Sequence, residues 1–243
     1  MNRLAQGVVL ILLGGAVVKA SVTDMYLRYV REWMQYFLIA AGAVLIIAGI
    51  MTIIYDLRHG SHVDDHDHGD DKPHKEPRVG WLLIAPVLGL LLVAPPALGA
   101  FAAGQSGSAV LQASDLYPPL PEGDPADISV LDYATRGIFD KGESMKDTKG
   151  SYRTVRMTGF LSAGPNGEQV VTRMMLSCCA ADARPIKVGM TGRIPEGLGN
   201  DQWVELVGKY TTKTSVDPVN NQTITYIDIA EWRKIDPPRN QYE

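Results

Sequence analysis

Three stretches of the chain, 4–18, 33–55 and 79–114, contain no charged residue, whereas the positions beyond them alternate polar and apolar side chains on a short period. A helix needs roughly 17–25 apolar residues to cross a hydrocarbon core about 30 Å thick. The first hundred positions therefore predict three membrane spans at about 4–20, 33–55 and 79–102, with a polar loop over 56–78. The second run, WMQYFLIAAGAVLIIAGIMTIIY, sets Trp33, Tyr36 and Tyr55 near its ends, where amphipathic rings favour the headgroup layer. Ala40, Gly42, Ala43, Ala48 and Gly49 keep part of it slim enough for a second helix to approach closely in lipid. The first run is short, and Arg3 before it with Val18-Lys19-Ala20 after it also fits a signal peptide cleaved near Ala20. The third contains Pro86, Pro95 and Pro96, which lack an amide donor and kink or end a helix.

From about 105 to 125 the chain reads as a proline-rich linker, YPPLPEGDP being unable to hold a regular helix. Ile128, Leu131, Ala134 and Ile138 then recur at helical spacing over 127–139, with Asp127 or Ser129 as the cap. Five β-type runs follow at 153–161, 168–177, 184–191, 202–210 and 223–232, separated by turn residues such as Gly164-Pro165-Asn166-Gly167. One helix followed by five short strands predicts, over 126–243, a small partly open barrel of the oligonucleotide/oligosaccharide-binding (OB) type. The expected fold is a helical membrane half carrying a mostly β domain.

Charge refines the picture. Lys72, Lys75, Arg58 and Arg78 flank the 56–78 loop, which by the positive-inside rule puts the N-terminus and that loop in the cytoplasm and the barrel outside it, in a multi-pass plasma-membrane protein. The formal net charge of -4, with no basic face interleaved with aromatics, argues against nucleic acid as a partner.

Two groups of residues carry candidate chemistry. His59, His62, His66, His68 and His74, all the histidines of the chain, fall in RHGSHVDDHDHGDDKPHK beside Asp64, Asp65, Asp67, Asp70 and Asp71. Imidazole and carboxylate together suit zinc and other divalent transition metals, and the glycines inside the loop suit loose, exchangeable capture better than a fixed catalytic site. The only two cysteines, Cys178 and Cys179, are adjacent, which excludes a disulfide framework. Strand alternation continued through them would point the two thiols apart, whereas a bend would gather them at one site with Asp182. They read either as small buried apolar side chains, as a thiolate site with Asp182 for zinc or copper(I), or as a strained neighbour disulfide.

Trp81, Leu83 and Pro86, the run Pro95 to Ala100, then Val155, Gly159, Arg173, the segment SCCAADARPI and Trp203-Val204 with Gly208 resemble, over nearly the whole chain, a bacterial family of permease subunits. The resemblance implies a small membrane protein that works beside a larger polytopic permease, in a setting associated with zinc-responsive genes. The expected function is that of an accessory subunit, not an enzyme, whose barrel captures a transition metal at Cys178, Cys179 and Asp182 while the histidine loop buffers it. A membrane-anchored thiol oxidoreductase and a purely structural partner are the alternatives.

Overall fold

The computed structural model describes residues 3–59, 96–109, 111–113 and 117–243. The chain divides into two units, Met1–Pro96 and Ala97–Glu243.

The first unit is a helical hairpin of α1 (Arg3–Val22) and α2 (Gln35–His59). Two glycines on each helix, seven residues apart, let the backbones meet. A Cβ placed on Gly14 would lie 2.8 Å from the Gly42 carbonyl oxygen, and one on Gly49 would lie 2.8 Å from that of Gly7. Gly7 thus faces Gly49 and Gly14 faces Gly42, so the helices run antiparallel, with close approach made possible by missing side chains. Two short 3₁₀ turns, Asp24–Arg28 and Glu32–Met34, join them. Tyr26 and Leu27 are buried in that connection, and Gln35 Nε2 donates to the Ser21 carbonyl at 2.8 Å. Val8, Leu12, Phe37, Val44, Ile47 and Met51 are exposed on the outer faces. Leu4–Val22 and Glu32–Arg58 are long and apolar enough to cross a membrane by length and composition. The third predicted span up to residue 95 lies outside the described residues.

In the second unit, α3 (Ala100–Gln105) precedes a two-residue strand β1 (Ala126–Asp127) and α4 (Val130–Phe139). Ser129 caps α4, its Oγ accepting from the Asp132 amide at 3.0 Å, which satisfies one of the amides a helix start leaves unpaired. The sheet is built from β2 (Val155–Ala163), β3 (Gln169–Met175), β4 (Arg184–Gly192), β5 (Trp203–Val216) and β6 (Thr223–Ile235). It is a mixed six-stranded sheet in the order β1-β2-β3-β4-β6-β5, and β5 pairs again with β2. Most neighbours are antiparallel; β1–β2 and β4–β6 are parallel. That return pairing, from Val155 opposite Gly208 to Phe160 opposite Trp203, removes the two open edges a five-strand ladder would otherwise present.

Val155, Met157, Leu161, Val171, Ile186, Val188, Val204, Leu206 and Ile227 form the main core, against which α4 contributes Val130, Tyr133 and Ala134. Tyr133 is fully buried, and its hydroxyl donates to the Tyr226 carbonyl at 2.7 Å, as burial of a phenol requires. A second cluster gathers Ala100 and Ala103 of α3 with Phe160, Met174, Leu176, Trp203 and Tyr242. The segment leading into the domain is therefore held by packing at α3. A buried ion pair holds it further on: Lys187 Nζ lies 3.0 Å from Asp217 Oδ2, which also accepts from the Ser108 amide (2.9 Å) and hydroxyl (2.7 Å).

Candidate metal centre

The site is made by the turn between β3 and β4. Met175 pairs with Arg184 across the two strands, so the intervening residues must reverse the chain. Strand β3 stops at Met175, short of the cysteines. A single 3₁₀ turn, Ala180–Asp182, then carries the chain back, with Cys179 at its N-cap.

Asp182 organises this turn. One of its oxygens accepts from the Ser177 amide at 2.9 Å, and the other accepts from Cys178 at 2.8 Å and more weakly from Cys179 at 3.4 Å. Successive amides of an extended strand point in opposite directions, so three in a row on one carboxylate require the bend and cannot coexist with strand pairing. The Cys179 sulfur in turn accepts from the Asp182 amide, a capping box with cysteine in the place usually taken by serine or threonine.

The consequence is convergence. The ligand atoms of Cys178, Cys179 and Asp182 all lie within 4.8 Å of one another. A tetrahedral ion with metal–sulfur bonds of 2.3 Å holds its ligands about 3.8 Å apart, so small side-chain rotations suffice to bring the three donors to one ion. Cys178 is exposed and Cys179 half-buried, both as free thiols. The position is open to solvent on the Cys178 side.

Charge is polarised within the cluster. The hydrogen bond from the Cys178 thiol, joined by those from the backbone amides, outweighs desolvation and holds the Asp182 carboxyl down at about 2. The same carboxylate, followed by the Cys179 side chain, pushes the Cys178 thiol up to about 12. Without a metal Cys178 therefore carries its proton at neutral pH, unlike the lowered thiols of redox and nucleophilic cysteines. A divalent ion of two positive charges reverses that preference, since a coordinated thiol is deprotonated outright. Two sulfurs and one oxygen make a donor set suited to zinc or copper(I), with further positions left for water or another ligand.

Cys178, Cys179 and Asp182 are thus brought together, and neither Cys178 nor Cys179 is buried in the core. Of the predicted histidine ligands, His59 is the last residue of α2. His62, His66, His68 and His74 lie outside the described residues.

The turn is anchored from below by residues that no local sequence signal picks out. The Leu176 amide donates to the Glu243 carbonyl at 3.0 Å, and the Glu243 amide to the Met174 carbonyl at 3.0 Å. The Glu243 side chain accepts from the Val130 and Leu131 amides at 2.9 and 2.7 Å, which places a carboxylate at the start of α4 where the helix dipole favours it. Arg173 lies over the Trp203 ring at 5.0 Å and 3.6 Å from Glu243. Burial is the main influence on both groups, lowering Arg173 and raising Glu243, and their mutual attraction offsets part of it.

No curated protein and no solved structure matches the chain. Residues 5–108 match the DUF1980 N-terminal domain and residues 140–243 the DUF1980 C-terminal domain, a family of unknown function. The two matched stretches take in the helical hairpin and α3 on one side and the whole β2–β6 sheet with the cysteine turn on the other, so the chain carries both domains of DUF1980, consistent with a DUF1980 family protein.

Proposed function

We propose that the protein is an accessory subunit of a plasma-membrane transport system, anchored by its N-terminal helices beside a larger polytopic permease, and that its OB-like barrel captures a transition metal at Cys178, Cys179 and Asp182. The observation that carries the reading is the convergence of two free thiols and one carboxylate on a solvent-facing turn. The metal would supply no chemistry beyond being held and exchanged. An exposed site with spare coordination positions favours transfer over permanent retention.

Several features support the membrane half of the proposal. The outer faces of α1 and α2 expose Val44, Ile47, Met51 and their neighbours, which water would penalise and hydrocarbon would not. Trp33, Tyr36 and Tyr55 lie near the two ends of the longer apolar stretch, where amphipathic rings would favour a headgroup layer. The barrel reading is supported by the return pairing of β2 with β5 and the parallel pairing of β4 with β6. The thiol oxidoreductase alternative is weakened by the carboxylate beside Cys178, which disfavours the thiolate.

Cobalt(II) titration of the full-length chain in detergent under anaerobic conditions tests the capture step. Thiolate ligation gives an intense sulfur-to-metal charge-transfer band that histidine ligation does not. The expected band disappears in Cys178→Ser and in Cys179→Ser, and persists when His62, His66, His68 and His74 are all replaced by serine. Absence of the band in the unmodified chain would refute capture at this site. Co-purification of the chain with a multi-span permease in mild detergent tests the partnership, and its failure removes the subunit reading.

A further inference from the structure

We infer that Cys178 and Cys179 are also a reversible redox pair, and that closing the bond between them empties the metal position. Emptying presupposes the proposed capture of a metal there, whereas the bond itself rests on separate observations.

Along an extended strand, amides and side chains both alternate in direction. The amides of Ser177, Cys178 and Cys179 instead all donate to the one carboxylate of Asp182, so alternation is broken at the two cysteines and their side chains are not forced apart. The two sulfurs lie within 4.8 Å of each other and of an Asp182 oxygen. Cys178 and Cys179 are the only cysteines of the chain, so neither has another thiol of the same molecule to pair with. Both are free thiols, Cys178 exposed and Cys179 half-buried, and are open to a small oxidant.

Adjacency decides what kind of bond forms. Across the trans peptide that joins them the two α-carbons are about 3.8 Å apart, closer than the roughly 4.4–6.8 Å that disulfides prefer. The bond is therefore strained, and strained, exposed disulfides are the labile ones that other thiols reduce again. Such a pair is a switch and not a staple. The carboxylate beside Cys178 disfavours rapid thiol turnover, but the position of an equilibrium does not depend on how fast it is reached.

The oxidant is a low-molecular-weight disulfide. One cysteine sulfur displaces a small thiol from it, and the other cysteine sulfur then displaces the second. The two thiol hydrogens of the protein leave on two small-thiol products, the protein loses two electrons, and one S–S bond replaces another. The closed pair has no thiolate to offer, which leaves Asp182 as the one remaining donor of the three, and a lone carboxylate does not retain a soft ion. Binding and oxidation then exclude each other, and by linkage a bound ion protects the thiols to the extent that oxidation weakens binding.

Full-length protein in detergent, reduced and freed of metal, is incubated with oxidised glutathione, quenched with acid and digested with trypsin, and the mass of the peptide Met174–Lys187 is read. The unmodified chain should give this peptide lighter by two hydrogens and without glutathione. Cys178→Ser and Cys179→Ser, each lacking a second thiol, should instead keep one glutathione; serine at 179 accepts the Asp182 amide as cysteine does, so the turn is retained. The oxidised unmodified chain should show no cobalt(II) charge-transfer band, dithiothreitol should restore it, and cobalt loaded beforehand should protect the pair. Glutathione adducts on the unmodified chain with no lighter peptide would overturn the pairing, and a cobalt band that survives oxidation would overturn the emptying. A lighter peptide from a chain that never binds cobalt would refute capture while supporting the redox pair, whereas cobalt binding with no lighter peptide would remove only the redox pair.

Discussion

Replacing Asp217 with alanine should destabilise the sheet domain and release the segment that leads into it. Asp217 is fully buried, and its partner Lys187 has a side chain only 4% exposed. The carboxylate accepts from Lys187 Nζ, the Ser108 amide, the Ser108 hydroxyl and, on its other oxygen, the Val219 amide at 3.0 Å. Lys187 retains only the Ser106 carbonyl, at 3.1 Å, once the carboxylate is gone. Removing one member of a buried pair leaves an uncompensated charge and costs about 3–5 kcal/mol. For a unit the size of Ala97–Glu243 this corresponds to a melting temperature lower by roughly 10 °C. Thermal unfolding of the full-length protein in detergent, followed by near-UV circular dichroism, measures the shift, and limited proteolysis around residues 105–113 reports release of the segment. Replacing both partners, as Lys187→Met/Asp217→Ala, removes the stranded charge and should recover much of the loss. A single variant that loses less than about 1 kcal/mol, or a double variant as unstable as the two singles added together, would refute the account.

Acid should act through the same carboxylate. Burial alone would raise Asp217, but the hydrogen bonds from Ser108, Val219 and Lys187 outweigh it and hold the group below the ordinary carboxylate value. A lowered acid contributes stability that is complete above its unfolded value and is lost as pH falls through its folded one. The melting temperature should therefore drop below about pH 4, and Asp217→Asn, less stable at neutral pH, should lose less on acidification; equal acid sensitivity would contradict this. In the helical hairpin, Gly14→Leu should disrupt packing and cost about 1–3 kcal/mol, because its new Cβ would lie 2.8 Å from both the Gly42 carbonyl and Ile46. Gly15→Leu meets nothing within 4 Å and should be tolerated, so comparable thermal stability of the two variants in detergent would argue against the close approach. Glu243→Ala should cost more than the about 1 kcal/mol of a lost cap, because it uncaps α4 at Val130 and Leu131 and also strands the buried Arg173, and amide hydrogen exchange at those two positions should rise.

Much of the β architecture is readable from local pattern, because each strand is a run of β-favouring residues closed by its own turn. Val155–Ala163, Gln169–Met175 and Arg184–Gly192 fall within two residues of the alternating segments that predict them, and Ser129 caps α4 as its position suggests. The full lengths of β5 and β6 are less visible, since β5 runs on from Thr211 to Val216 and β6 from Arg233 to Ile235, where no side chain is buried and alternation gives no signal. Closure is invisible locally: Val155 meets Gly208 across more than fifty intervening residues, and no short window encodes that register. The stretch before the sheet shows a different limit. An uncharged run that continues to residue 114 gives no sign that Ala100 and Ala103 pack on Phe160 and Trp203, because a lipid-facing helix and a core-facing one draw on the same residues.

The cysteine turn lies between these cases. Alternation carried past Met175 would separate the thiols, and hydrophobicity favours the buried reading, so the usual patterns point away from a site. What turns the chain is one carboxylate that gathers three consecutive amides. That requirement does leave a local trace: Asp182 stands three residues after Cys179, the spacing of a capping box, with a weakly accepting sulfur in place of a hydroxyl. A hydroxyl at position 179 would make the same turn with a better acceptor. Sulfur gives up part of that bond and gains nothing for the fold in return, since Cys179 is only half-buried and Cys178 is exposed. The same substitution does supply a soft ligand beside a second thiol and a carboxylate that the turn has already oriented. The chemistry of the two sulfurs therefore accounts for their presence better than the architecture of the turn does.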